Sequence, residues 1–203
     1  MATLFFMSFK SNMYNVSFLG LKENIAYGHQ AIAEVKKDFP TGLRSNTYYE
    51  TFADPVEKDV LYYYQDLILT TRALADFKKR QGMSSKQATF EAVNHTGAAN
   101  CGEQSFLVSQ KLDEMGIQNK IISMNIRQNS KFSNFATGGH TFCVIDTDKN
   151  MDINNPDTWG KDAVVVDMWS NTVAKVKDAI EFFGTFLKPK ENERVLFETV
   201  DPY

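Results

Sequence analysis

Asn100-Cys101-Gly102-Glu103-Gln104-Ser105-Phe106-Leu107-Val108, running on to Met115-Gly116, is the stretch whose reading decides the fold. Asn100 is a good N-cap, and Glu103 three residues later completes a capping box, so a helix is expected to start at Cys101. Ser105, Val108, Leu112 and Met115 then fall near one face, Gly116 suits a left-handed C′ position, and Ile117 can pack back on the last turn. A cysteine in a first helical turn sits among N–H groups that lack intrahelical partners, at the positive end of the helix dipole. Both favour a thiolate over a thiol. Glu103 works against this, because its carboxylate lies within one turn. Activation of Cys101 is therefore expected to depend on a nearby imidazole rather than on the helix alone.

Downstream the periodicity changes. Lys120–Ile126, Thr141–Ile145 and Ala163–Met168 are β-branched or apolar runs of strand length, and Arg194–Val200 reads as a last strand. Asp146-Thr147-Asp148-Lys149-Asn150 is turn chemistry, residues 150–161 form a longer loop, and Lys175–Leu187 is a helix stopped by Pro189. Upstream, residues 1–20 read as a short strand or packed arm, 21–38 as a helix ended by Pro40 and Gly42, and 41–53 as a loop. Asp54-Pro55 is expected to open a long helix, with Lys78-Lys79-Arg80 at its end and Gly82 beyond. A further helix runs from Ser84 or Ser85 to about Val93, and Gly97-Ala98-Ala99 leads into the cysteine helix. The order of helices first, then mostly sequential strands, gives an α+β fold with helices on one face of an antiparallel sheet. We read residues 1–203 as one domain, with 1–95 mainly helical and 96–203 the core that carries the chemistry.

The composition excludes several classes. Hydrophobic residues make up 43% and charged residues 23%, an ordinary globular balance, and a net charge of −3 argues against a general nucleic-acid surface. No run approaches the roughly 18 uninterrupted apolar residues of a membrane span. Met1-Ala2-Thr3-Leu4-Phe5-Phe6-Met7 lacks the basic region and cleavage site of a secretory signal. No Cys/His set has zinc spacing and no glycine-rich phosphate loop is present, so neither a metal nor a cofactor is expected. With two cysteines in the chain, both are expected to be reduced, in keeping with a cytosolic working environment.

Two later motifs bear on Cys101: Gly138-Gly139-His140-Thr141-Phe142 and Val164-Val165-Val166-Asp167-Met168-Trp169. Cys101 as nucleophile, His140 as base and Asp167 as its orienter are three residue types that together perform acyl transfer. His140 begins one expected strand and Asp167 ends another. If the two strands are antiparallel neighbours, both side chains reach one sheet edge. The two glycines let a substrate backbone come close, so Gly139 is a candidate substrate-binding residue. Trp169 is another, although packing beside the site is its first expectation. The oxyanion formed on attack would meet the Cys101 backbone N–H and a side-chain donor, for which Asn94, His95 and Asn100 are candidates. His95 also rivals His140 as base, and an inert core cysteine is the plain alternative for Cys101.

Asn100-Cys101-Gly102-Glu103, His140-Thr141-Phe142 and Val166-Asp167-Met168-Trp169 resemble the Cys, His and Asp blocks of the transglutaminase-like superfamily, within the wider papain-like fold. The resemblance covers roughly residues 95–170, and the N-terminal helices match nothing comparable. The family's Asp block often has Pro before the Trp, where this chain has Met168. The resemblance implies a papain-like core, a thioester on Cys101 and a protein substrate. It leaves open proteolysis, glutamine deamidation or amine crosslinking. It also points to an effector-type bacterial enzyme, a virulence factor that reaches a host cell's cytosol through a dedicated secretion system. Two other readings stand beside it. One is a non-catalytic protein-binding module that keeps the fold. The other is an arylamine-type acetyltransferase, which would need an acyl-coenzyme A pocket that no motif marks.

Overall fold

The structure, a computed structural model, describes residues 20–46, 58–128 and 136–200. Among them are five α-helices and five strands. The helices are α1 (Leu21–Asp38), α2 (Lys58–Arg80), α3 (Ser85–Thr96), α4 (Cys101–Glu114) and α5 (Val176–Leu187). The strands are β1 (Asn119–Gln128), β2 (Ala136–Ile145), β3 (Val164–Asp167), β4 (Thr172–Lys175) and β5 (Glu193–Thr199). The strands form a single antiparallel sheet in the order β4-β3-β2-β1-β5. The fold is α+β, as expected. Residues 1–19 of the strand or arm expected at 1–20, residues 47–53 of the loop expected at 41–53, and the expected Asp54-Pro55 helix start lie outside the described residues.

Helices cover both faces of the sheet, not one. On the first face Ile32 and Val35 of α1 and Leu107, Val108 and Leu112 of α4 pack on Ile121, Cys143, Val164 and Val166. On the second, Val176, Ala179 and Phe183 of α5 and the buried Trp159 pack on Ile122, Met124, Phe142, Val144 and Val165. The correction has a visible cause. Val164-Val165-Val166 is apolar at every position, and side chains alternate between faces, so both faces of β3 must be covered. A second correction concerns β4, which the sequence reading passed over. Thr172–Lys175 is a short edge strand with little apolar content, paired to β3 through Val166↔Val173 and Asp167↔Thr172.

Helix α1 lies close on this sheet. A Cβ at Gly28 would stand 2.7 Å from Val173 Cγ1 and 2.8 Å from Val166 Cγ2, so only glycine fits there. The N-terminal part is thus built into the core rather than attached to it. Helices α2 and α3 pack on each other, and α3 packs on α4. Thr71 Oγ1 of α2 reaches Thr96 Oγ1 at 2.6 Å and Ala98 O at 3.1 Å, which fixes α2 to the entry of α4. The segment after α1 is tied to the same entry. Arg44 N–H donates to Gly97 O, and Ala99 N–H donates to Arg44 O, each at 2.9 Å. No described helix is long and apolar enough to cross a membrane.

Candidate active site

Helix α4 starts at Cys101, as its capping residues require. Glu103 Oε2 accepts the Asn100 N–H at 3.0 Å and closes the capping box. Ser105, one turn in, fixes the helix against β2. Its hydroxyl lies 2.7 Å from Cys101 O and 2.8 Å from Thr141 O, its one hydrogen shared between them. Cys143 Sγ donates to Ser105 O at 3.0 Å from the strand side. Strand β3 pairs with β2 only over Cys143–Ile145, so the first turn of α4 occupies the edge of β2 that β3 leaves open.

His140 lies inside β2, opposite Met124, and not at the strand's start. Gly138 and Gly139 do not interrupt the strand. Gly139 is required by β1, because a Cβ there would stand 3.0 Å from Asn125 Oδ1 and 3.2 Å from Met124 O. Asp167 ends β3, and the two strands are adjacent and antiparallel as anticipated. His140 Nε2 lies 2.7 Å from Asp167 Oδ2, with both side chains about 2% exposed or less. The carboxylate is saturated. Its Oδ1 accepts Trp169 N–H at 3.1 Å, and its Oδ2 also accepts the Ser170 N–H at 3.2 Å and the Ser170 hydroxyl. The imidazole is boxed by Phe183, Trp169 and Phe186, at ring-centroid distances of 4.7, 4.9 and 5.6 Å.

Cys101 and His140 line one cleft, and the Cys101 side chain is near enough to act on the imidazole. Burial alone would push the imidazole towards neutrality. The Asp167 charge, its hydrogen bond and the Cys101 side chain outweigh burial and raise the His140 pKa from 6.5 to about 9. A cysteine beside an imidazole is the pairing that nucleophilic thiols use. The second thiol is built the other way. Burial pushes Cys143 far above an ordinary cysteine.

A cleft of about 670 Å³ opens over this group, lined in part by Cys101, His140, Gly138, Gly139 and Trp169. Both substrate-binding candidates are therefore at the cleft, and Trp169 also packs on the imidazole. The oxyanion candidates separate. Asn94 and His95 are exposed on α3 and face a different hollow, with Leu74 and Lys78. Helical periodicity carries their side chains away from the N-terminus of α4, so nearness in sequence misleads. Asn100 lines the cleft, but its amide is engaged. Trp169 Nε1–H donates to Ser45 Oγ at 3.1 Å, Ser45 donates to Asn100 Oδ1 at 2.7 Å, and Asn100 Nδ2 donates to Asn46 Oδ1 at 3.0 Å. The polarity of this chain leaves the Asn46 amide N–H groups as donors at the cleft wall.

Two site residues were missed in the sequence, Asn46 and Arg72. Arg72 lines the cleft from α2 and donates Nε–H to Glu103 Oε1 at 2.7 Å. The Glu103 hydrogen bond raises its pKa against partial burial, and the Glu103 and Cys101 charges add to the rise. The expected handicap of Glu103 beside Cys101 is thereby offset by a cation from another helix. Asn46 falls in a polar stretch of sequence and Arg72 on a long amphipathic helix, and no local pattern distinguishes either. No cluster of His, Cys, Asp and Glu that could hold a metal ion occurs among the described residues.

No family model, curated protein or solved structure matches the chain.

Proposed function

We propose that this protein is a cysteine-dependent amide hydrolase or acyltransferase, acting on glutamine side chains or peptide bonds of protein substrates through a thioester on Cys101. One observation carries the reading: a cysteine at a helix N-terminus shares a cleft with a buried histidine whose Nε2 is held by a saturated aspartate. The resemblance to transglutaminase-like enzymes supports the same chemistry and a papain-like core.

In this reading Cys101 Sγ attacks the amide carbonyl carbon and the C=O electrons move to oxygen. The oxyanion meets the Cys101 backbone N–H and the Asn46 side-chain N–H groups. His140 gives its proton to the leaving nitrogen, the C–N bond breaks, and ammonia or an amine departs. The acyl-thioester remains. Water or an amine then loses a proton to His140 as it attacks the carbonyl. The C–S bond breaks and the thiolate–imidazolium pair returns. Asp167 keeps the imidazole turned so that its other nitrogen can face sulfur.

The test has two parts. Alkylation of Cys101 by iodoacetamide at mildly acidic pH should be fast in the wild type and slow in His140→Ala, as followed by peptide mapping. Equal rates in the two proteins would sink the reading and leave a binding module with this fold. Incubation with candidate protein substrates, followed by intact mass, then assigns the reaction. Ammonia release with conversion of amide to acid, a cut chain or a crosslink each identifies a different acceptor.

A further inference from the structure

Resting on the reading of Cys101 as nucleophile, we propose that Arg72 makes the cleft a receptor for an anion, so that the preferred substrate carries a carboxylate beside the amide under attack. Four observations lead there. Apart from the Cys101–His140 pair, Arg72 is the only charged side chain lining the cleft among the described residues, and no aspartate, glutamate or lysine accompanies it. Its Nε is spent on Glu103, while Nη1 and Nη2 make no hydrogen bond among the described residues. Glu103 is 12% exposed and does not line the cleft. Its oxygens are taken by Arg72 and by the Asn100 N–H, and it fronts a second hollow with Thr71, Asp76 and Lys79, which Arg72 also lines. Arg72 thus borders both spaces and Glu103 only the second, so of the pair the cation alone reaches the cleft. The start of α4 adds N–H groups at the same wall.

A guanidinium whose two terminal nitrogens are free is the group best shaped for a carboxylate, which it grips with parallel hydrogen bonds. The rest of the wall suits the flanking parts of a polypeptide. Leu69, Trp169 and Phe186 offer apolar surface, and Gln65 and Asn46 offer amides. An acidic residue within reach of Arg72 would fix the register of the substrate segment over Cys101. A basic residue there would meet a like charge. The class follows from the wall: acidic stretches of protein, with glutamine or a scissile bond next to aspartate or glutamate.

The experiment uses two alkylating reagents of nearly equal size, neutral iodoacetamide and anionic iodoacetate, on the full chain. Rate constants at Cys101 come from peptide mapping, and the quantity read is the iodoacetate/iodoacetamide ratio, in which any change of basal thiol reactivity cancels. The ratio should fall about fivefold in Arg72→Gln and stay within about twofold of wild type in Arg72→Lys. Arg72→Gln also uncovers Glu103, so the double variant Arg72→Gln/Glu103→Gln decides between causes. A ratio that stays low in the double variant supports direct recognition by the guanidinium. A return to the wild-type ratio overturns the proposal, because Arg72 would then only cancel Glu103. An unchanged ratio in Arg72→Gln overturns it as well. Glu103→Gln alone should raise the ratio or leave it unchanged, and a fall would count against the proposal. The reactivity of Cys101 is judged separately, by iodoacetamide alone in wild type and His140→Ala, so the two ideas fail on different readouts.

Discussion

Cys101 and Cys143 lie on either side of Ser105 and have opposite surroundings. Cys101 is half-buried at a helix N-terminus and opens on a cleft that His140 also lines. Cys143 is fully buried in the middle of β2, among Leu107, Val108 and Val166, and its thiol is spent on the Ser105 carbonyl. On the proposed function, the same side chain serves as a reactive group in one place and as a small apolar filler in the other. The cause is what surrounds each sulfur: unpaired N–H groups, an imidazolium and solvent for Cys101, and hydrocarbon for Cys143.

Four outcomes would break or sharpen this contrast. The largest concerns turnover. Cys101→Ala should abolish amide turnover, and Asp167→Asn should lower it about 10²–10⁴-fold by releasing the imidazole from its useful tautomer. Cys143→Ala should leave turnover near wild type, and loss of turnover there would reverse the assignment of the two thiols. The next concerns labelling. Iodoacetamide should modify Cys101 alone in the native protein and both cysteines in denaturant. At pH 6.5, His140→Ala should slow Cys101 labelling about a hundredfold, towards the small thiolate fraction of an isolated cysteine.

A third, smaller effect is on stability against pH. The His140 pKa is raised from 6.5 to about 9, so its contribution is fully present below about 6.5 and is lost as pH rises through about 9. The wild-type Tm should therefore fall between pH 7 and 10 by more than that of Asp167→Asn, measured in the same buffers. Parallel profiles would show that Asp167 does not hold the proton on His140. The smallest effect belongs to the buried thiol. Cys143→Ala should cost about 1–2 kcal/mol in urea unfolding, through lost packing and the lost bond to Ser105, with labelling of Cys101 unchanged.

What the sequence made legible was local. The capping box at Asn100–Glu103, the stop at Gly116 and the turn acids after β2 each act over a few residues, and the helix and strand ends they mark fell where expected. His140 and Asp167 could be paired only on the condition that their strands are antiparallel neighbours, and the sheet meets that condition. What escaped depended on residues far apart in the chain. Arg72 meets Glu103 across 31 positions and Ser45 meets Asn100 across 55, and neither pairing leaves a periodic trace. The misplacement of Asn94 and His95 has the same root, since a helix turns side chains that are near in sequence to different sides. The cover on the second face of the sheet was readable in Val164-Val165-Val166, but the strand is only four residues long and its signal was weak beside that of the helices.

The short pairing of β2 with β3 has one more consequence. A strand whose edge is bare offers its N–H and C=O groups to any other extended chain, and that is how sheets join end to end into aggregates. Here the bare edge is closed by the first turn of α4, through the Ser105 hydroxyl on Thr141 O. The helix that presents the thiol is thus also a guard against self-assembly. A change that loosened its first turn would endanger the solubility of the protein along with its chemistry.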